Sequence, residues 1–326
     1  MAFDTRSTLA VDKGVVVRIA VGLDVDGSIG DTLERVGRLR DLGFRAMWSS
    51  QIFGPDTLTV LALVGRAYPD VDLGTAVVPV QPRHPSMLAA QARTVQDAIG
   101  GRLTLGVGLS HQVVVEGLWG IPFERPVSYM RDYLSALAPM LRGEPVSVRG
   151  DFVSATTMGA VGPKDAVAPA LVVAALGPKM LELAGALADG TVLWMTGPRT
   201  IAEHIVPTIN AAAATAGRPA PRVVCSLPVV VTDDVEGARA RVNETFAIYA
   251  TLPSYAAMLE REGASAPADV AIIGTRDVVV DQLRGLADVG VSEFSAVASG
   301  TPAEREAALA AVLDYDRETN GTTTGH

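Results

Sequence analysis

A single cysteine, Cys225, is present, so no disulfide can form within the chain, and the residue reads as a small core hydrophobe. Lysine is almost as scarce: Lys13, Lys164 and Lys179 are the only ones. The formal net charge of -9 excludes a general binder of nucleic acid or of an anionic membrane, since both depend on clustered cations. No apolar run is long enough to span a bilayer, and the first residues, with Asp4 and Asp12 and no long apolar core, are not expected to be a secretory signal. A reducing cytoplasm is the expected compartment. Paired histidines and carboxylates at metal-ligand spacing are missing, as is a GxSxG elbow, so no metal is expected and serine-hydrolase chemistry falls away.

What is present is alternation. Short apolar strands and helix-period segments succeed one another along the 326 residues. The pattern predicts strands over 15–25, 44–50, 71–80, 102–109, 171–173, 190–197, 222–231 and 291–298, with helices between them. Gly43 ends the first helix, Asp56 opens the second and Pro69 stops it, while Asp233 or Asp234 caps the one after the seventh strand. Two stretches break the beat. The glycines, prolines and short alternations of about 143–169 read as a hairpin and loop, and about 251–273 reads as a largely helical insertion. The polar tail, about 318–326, is expected to be disordered. Eight units with insertions after strands 4 and 7 predict an α/β fold of one domain over 1–326, a (β/α)8 barrel whose chemistry lies at the carboxyl ends of the strands.

The stretch LVVAALGPKMLELAGALADG, Leu171 to Gly190, joins a buried strand to a helix through small residues. Unpaired N–H groups and a positive helix end fall at Gly177 to Lys179, which suits an anion. An ordinary turn with a solvated lysine is the plainer alternative.

Four runs, GFRAMWSSQIFGPDTLT, LGTAVVPVQPRHP, GGRLTLGVGLSH and the stretch just quoted, stand in register at four strand ends. In order and spacing they resemble the bacterial luciferase-like flavin and deazaflavin oxidoreductases, and more closely the branch using coenzyme F420, over nearly the whole chain. The resemblance implies a luciferase-like TIM barrel that transfers a hydride between F420 and a small organic substrate, at a C=C or C=N bond. Sister branches hold reduced FMN in the same pocket, so an FMN-dependent monooxygenase and a non-catalytic flavin-binding barrel are the alternatives. By position, a non-prolyl cis peptide would fall at Ala76–Val77 beneath the ring. Gly106, Gly108, Leu109, Ser110 and His111 would line the ring and its side chain, and Gly177, Pro178, Lys179 and Met180 would hold the phosphate. The remaining strand ends, Ser50 and Gln51, Ala174, Ala175 and Leu176, and Thr196 and Gly197, complete the expected cofactor site. Relatives are often homodimers, and the Arg-rich, Lys-poor composition suits an actinobacterium.

The chain departs from its relatives after the second strand, where many carry Asp-His and this sequence reads Ser50-Gln51-Ile52-Phe53. His111 takes the place of a glutamate found after the fourth strand in sugar-phosphate dehydrogenases. It is thus the candidate catalytic proton donor or acceptor, because histidine titrates near neutrality. Trp48, Glu116, Tyr129 and Trp194 are candidates for the substrate pocket, with barrel core or surface the ordinary reading of each. Arg83 could meet an acidic cofactor tail, His84 is expected to bond backbone, and His204 is expected to be peripheral.

Overall fold

Each barrel strand carries a largely apolar face outward, broken only by small hydroxyl residues such as Ser49, Thr75 and Thr191, and a mixed face inward, and eight of them close a parallel ring (the computed structural model describes residues 17–51 and 53–320). In ring order these are β1 (Arg18–Gly22), β2 (Ala46–Ser49), β3 (Asp72–Thr75) continued by β4 (Val78–Pro79), β5 (Leu103–Gly108), β8 (Ala170–Val173), β9 (Gly190–Trp194), β10 (Arg222–Val231) and β12 (Glu293–Ala298). Pairing of β12 with β1, and of β9 with β10, closes the circle. Between them come α1 (Ile29–Leu42), α2 (Thr57–Ala67), α3 (Pro85–Ala98), α4 (Gln112–Val115), α5 (Pro126–Leu141), α6 (Pro178–Leu187), α7 (Pro198–Thr200) and α8 (Val206–Thr215). After β10 follow α9 (Val235–Thr245), α10 (Ala247–Thr251), α11 (Pro253–Glu262), α12 (Arg276–Asp288) and α13 (Pro302–Asn320).

The helix starts follow from their caps. Ser28 Oγ accepts from Asp31 N at 3.1 Å in a reciprocal box, Asp56 Oδ1 accepts from Thr59 N at 2.9 Å, and Asp234 Oδ1 accepts from Gly237 N at 3.0 Å. A hairpin of β6 (Ser147–Arg149) and β7 (Ser154–Thr156) lies in the stretch between α5 and β8. The segment after α11 ends in a short strand rather than a helix: β11 (Ile272–Gly274) pairs parallel with the overhanging end of β10. The last helix continues to Asn320, so residues 318–320 are ordered, against the expected disorder; the rest of that tail, residues 1–16 and Ile52 lie outside the described residues.

The third strand is interrupted where the Ala76–Val77 peptide is cis, at the place implied by the resemblance. The neighbouring strand accommodates the break with glycine. A Cβ on Gly106 would stand 1.8 Å from Thr75 O, so no other residue fits without backbone movement.

Inside the barrel, Ala20, Ala46, Trp48, Val172, Val192 and Val224 pack into one layer, and Ala76, Val77 and Ala174 rest on it toward the carboxyl end. Below this layer lies a polar floor. Glu293, on the first residue of β12, is buried; its Oε1 accepts from Trp48 Nε1 at 2.6 Å and its Oε2 from Arg222 Nη2 at 2.7 Å. Arg222 also donates to Thr104 Oγ1 at 3.2 Å. Trp48 therefore turns toward the amino end, with its ring over Gly74, and it is removed from the substrate pocket where the sequence reading placed it. Burial pushes the Cys225 thiol up to about 12, in keeping with a core residue.

Candidate functional site

The carboxyl ends of the strands bring together the segments after β3, β5, β8 and β9, and the helical excursion after β10 closes over one side of them. Ala76, Val77, Leu109, Ser110, His111, Ala174, Leu176, Met180 and Trp194 are half-buried there, while Ala175 and Thr196 are buried. Gly108 permits the close approach of these segments: a Cβ on it would meet Val77 Cγ2 at 2.8 Å and Ala174 Cβ at 3.1 Å. Ser110 N donates to Gln81 Oε1 at 3.3 Å, and Gln81 Nε2 is left buried without a partner. A buried amide N–H with no acceptor carries a desolvation cost that an acceptor on a ligand would relieve.

At the end of β8 the helix start is open. Gly177 is the N-cap of α6, makes no side-chain cap and is exposed, and nothing lies within 4 Å of where its Cβ would be. Pro178 brings no N–H, and Met180 N and Leu181 N both donate to Gly177 O at 3.0 Å. The amides of Gly177 and Lys179 make no hydrogen bond among the described residues. With the positive end of the helix dipole behind them, they could hold an anionic group such as a phosphate. Lys179 is not aimed inward, for its ammonium pairs with Glu182 at 3.2 Å along the exposed face of the helix.

His204 was missed as a contributor to this turn. It sits in a π-helical turn, Ile201–Ile205, and its Nε2 lies 2.8 Å from Leu176 O, which requires the Nε2–H tautomer as donor. Its only sequence signal is a histidine near the start of the helix after the sixth strand. The contact spans two separate units.

The helix start after β9 is already satisfied. Glu262, the last residue of α11, accepts from Arg199 N at 3.1 Å and from Thr200 N at 2.7 Å, and its carboxylate fills the space beside Gly197. Thr196 Oγ1 donates back to Trp194 O at 3.1 Å. The Thr196 hydroxyl and the Arg199 and Thr200 amides are thus engaged, while the Thr196 and Gly197 amides make no hydrogen bond among the described residues, so both residues remain candidates for the cofactor site. Three corrections follow from side chains that other parts of the protein already engage. Gln51 Oε1 accepts from Thr57 N and Arg83 Nη2, both at 3.1 Å, so its side chain serves the α2 start, and Ser50 is exposed with its carbonyl accepting from Thr57 Oγ1 at 3.0 Å. Arg83 pairs with Asp56 at 2.7 Å and is not free for a cofactor tail. Glu116 is exposed and closes its own loop, accepting from Gln112 Nε2 at 2.8 Å and Phe123 N at 3.1 Å. His84 Nε2 meets Ser154 O at 3.0 Å, so it does bond backbone.

His111 is the N-cap of α4, makes no cap bond and packs its ring 5.9 Å from that of Tyr255 on α11. Burial holds its pKa below the ordinary 6.5, so the ring is neutral at pH 7 and can accept a proton. Tyr129, on α5, stacks on Tyr133 at 6.1 Å and meets Phe152 of the hairpin region at 6.3 Å. Trp194 meets Phe246 and Tyr249 edge-on at 5.5 and 5.7 Å, and Tyr249 meets Tyr255 at 5.0 Å. The residue after Trp194, Met195, is buried with φ 51°, a left-handed conformation that costs a non-glycine residue about 1–3 kcal/mol. It is held by packing against Leu259 and Val270.

A model of the luciferase-like monooxygenase family matches residues 14–311. A Mycobacterium tuberculosis oxidoreductase, provisionally named for dependence on coenzyme F420, is 29% identical over 231 residues, covering 66% of this chain and 67% of its own. The 5,10-methylenetetrahydromethanopterin reductase of Methanolobus tindarius is 30% identical over 237 residues, 71% of this chain and 70% of its own. Among solved structures, the coenzyme F420-dependent tetrahydromethanopterin reductase of Methanopyrus kandleri shares the fold with a TM-score of 0.76 at 22% identity, covering 91% of this chain and 97% of its own.

Proposed function

The chain belongs to the luciferase-like monooxygenase family, and from that premise we propose that it is an oxidoreductase working with coenzyme F420 on a small organic substrate. The names borne by its relatives support an F420-dependent oxidoreductase in general terms. The observation that carries the reading in this chain is the α6 start, where a glycine cap, two free amides and a dipole end face open space. Those residues fit a phosphate-bearing cofactor, with Gly177 and Lys179 amides as donors and His204 holding the Leu176 carbonyl back.

When bound, F420 supplies a carbon that gives or takes hydride and reacts poorly with oxygen. The chain's own part is to bind, orient and move one proton. Val77 and Ala174 crowd against Gly108 to make a surface on which a flat ring can rest. The excursion after β10 covers one side of the mouth, and His111 takes up a proton and delivers it to one end of a C=C or C=N bond as hydride reaches the other, or accepts one in the reverse direction.

Titration of the apoprotein with F420 and with FMN, followed by their own fluorescence, tests the reading. We expect F420 to bind at least tenfold more tightly. Preferential binding of FMN accompanied by oxygen uptake would replace this function by a monooxygenase, and binding without turnover over a broad panel would leave a carrier. His111→Ala is expected to lower turnover far more than F420 affinity, and unchanged turnover at saturation would remove its role.

A further inference from the structure

The aromatic side chains beside the mouth come from three places: Trp194 from the end of β9, His111 from the loop after β5, and Tyr249 and Tyr255 from the excursion after β10. They form a chain of contacts, His111 to Tyr255 to Tyr249 to Trp194, with ring separations of 5.9, 5.0 and 5.7 Å. Within it one hydrogen-bond donor is buried without an acceptor, and a second is open to a ligand. Trp194 Nε1 is buried and makes no hydrogen bond, although it faces the Tyr249 phenol closely enough to oppose the upward push of burial on that group. Tyr255 is half-buried, and its hydroxyl has no partner among the described residues. Glu262, at the end of the same excursion, is committed to the α7 amides.

An uncharged aromatic surface with unmet donors has a definite chemical preference. Anionic ligands would lose hydration here without a counter-ion and would meet the negative faces of the rings. Saturated, puckered ligands would forgo the contact of a flat face with aromatic rings. A hydrogen-bond acceptor on the ligand would replace water on the Tyr255 hydroxyl, and a ligand lacking one would cover that donor and leave it unpaired. We propose that this wall is the substrate-recognition surface and that it selects a flat, uncharged, conjugated carbonyl compound, whose oxygen accepts from Tyr255 Oη. The inference rests on the functional reading above for its placement beside the cofactor site, and it narrows the substrate to one class.

The test uses the full chain, with and without F420, and calorimetric titration of three probes: benzalacetone, its saturated analogue 4-phenyl-2-butanone, and the anion cinnamate. Wild type is expected to bind benzalacetone at least tenfold more tightly than either control. Tyr255→Phe, which keeps the ring and removes the hydroxyl, should weaken benzalacetone about fivefold or more and leave F420 affinity unchanged. Tyr249→Ala should reduce the discrimination between benzalacetone and its saturated analogue. Equal affinity for the three probes, or a Tyr255→Phe variant that binds benzalacetone as wild type does, overturns the inference. The two readings fail separately: a chain that selects benzalacetone without binding F420 retains this surface and loses the proposed function, and one that binds F420 without selecting among the probes does the reverse.

Discussion

Replacing Glu293 by Ala should destabilise the barrel more than any single surface substitution. The carboxylate is buried and is the acceptor for Trp48 Nε1 at 2.6 Å and for Arg222 Nη2 at 2.7 Å. Removing one partner of a buried ion pair costs about 3–5 kcal/mol, because the other charge is left stranded. Arg222 keeps 33% of its side chain exposed, so water can rehydrate part of that charge and the lower end applies. Stranding the indole N–H adds about 1–3 kcal/mol, and the two terms share a residue and are not fully additive. The expected loss is about 3–5 kcal/mol, which at about 2 °C per kcal/mol for a long chain lowers the melting temperature by about 6–10 °C. Glu293→Gln keeps an acceptor for Trp48 and loses the ion pair, so it should fall between the two. Thermal unfolding followed by circular dichroism reads the effect. Melting of Glu293→Ala within about 1 °C of wild type would refute the idea that the floor of the barrel is held by this carboxylate.

Lys179→Ala should weaken F420 by less than about threefold, since the ammonium is exposed and paired with Glu182, and affinity measured by cofactor fluorescence would check it. Gly177→Val should fold normally, because φ is -77° and the Cβ meets nothing, yet bind F420 at least tenfold more weakly; equal binding would put the phosphate elsewhere. Burial lowers the His111 pKa in the folded chain, so the unfolded chain takes up the proton first as pH falls. Stability is therefore fully present above the ordinary 6.5 and is lost as pH falls through the folded value, and His111→Gln should abolish that part of the melting-temperature slope between about pH 7.5 and 5. Glu262→Ala should speed hydrogen exchange at Arg199 and Thr200 and through α11, with protection elsewhere in the barrel unchanged; uniform exchange would mean the cap holds nothing.

Most of the architecture was legible because it depends on local chemistry. Ser28, Asp56 and Asp234 cap helices within three residues of themselves, and the 222–231 strand is a continuous apolar run. The extra strand β11 was not legible, for three apolar residues after a helical stretch carry no period of their own. At the site, the open α6 start could be read from glycine followed by proline and a helical repeat. The direction of Lys179 could not, since it depends on Glu182 one turn on and on the exposure of that face. Trp48 was correctly suspected of facing inward, but its height along the axis is set by Glu293, 245 positions away. The aromatic wall escaped notice for the same reason: Trp194, His111 and Tyr255 become neighbours only when the ring closes.

The overhang of β10 has an effect on how this barrel can vary. Because β11 returns the chain alongside the strand from which it left, with Val229 beside Ile272 and Val231 beside Gly274, the stretch from Thr232 to Ala271 begins and ends at one seam. Such an arrangement behaves like an interchangeable cassette. A different insert spliced at that seam would present a new face to incoming molecules and a new neighbour to His111, while the stave order and the open start of α6 stayed untouched.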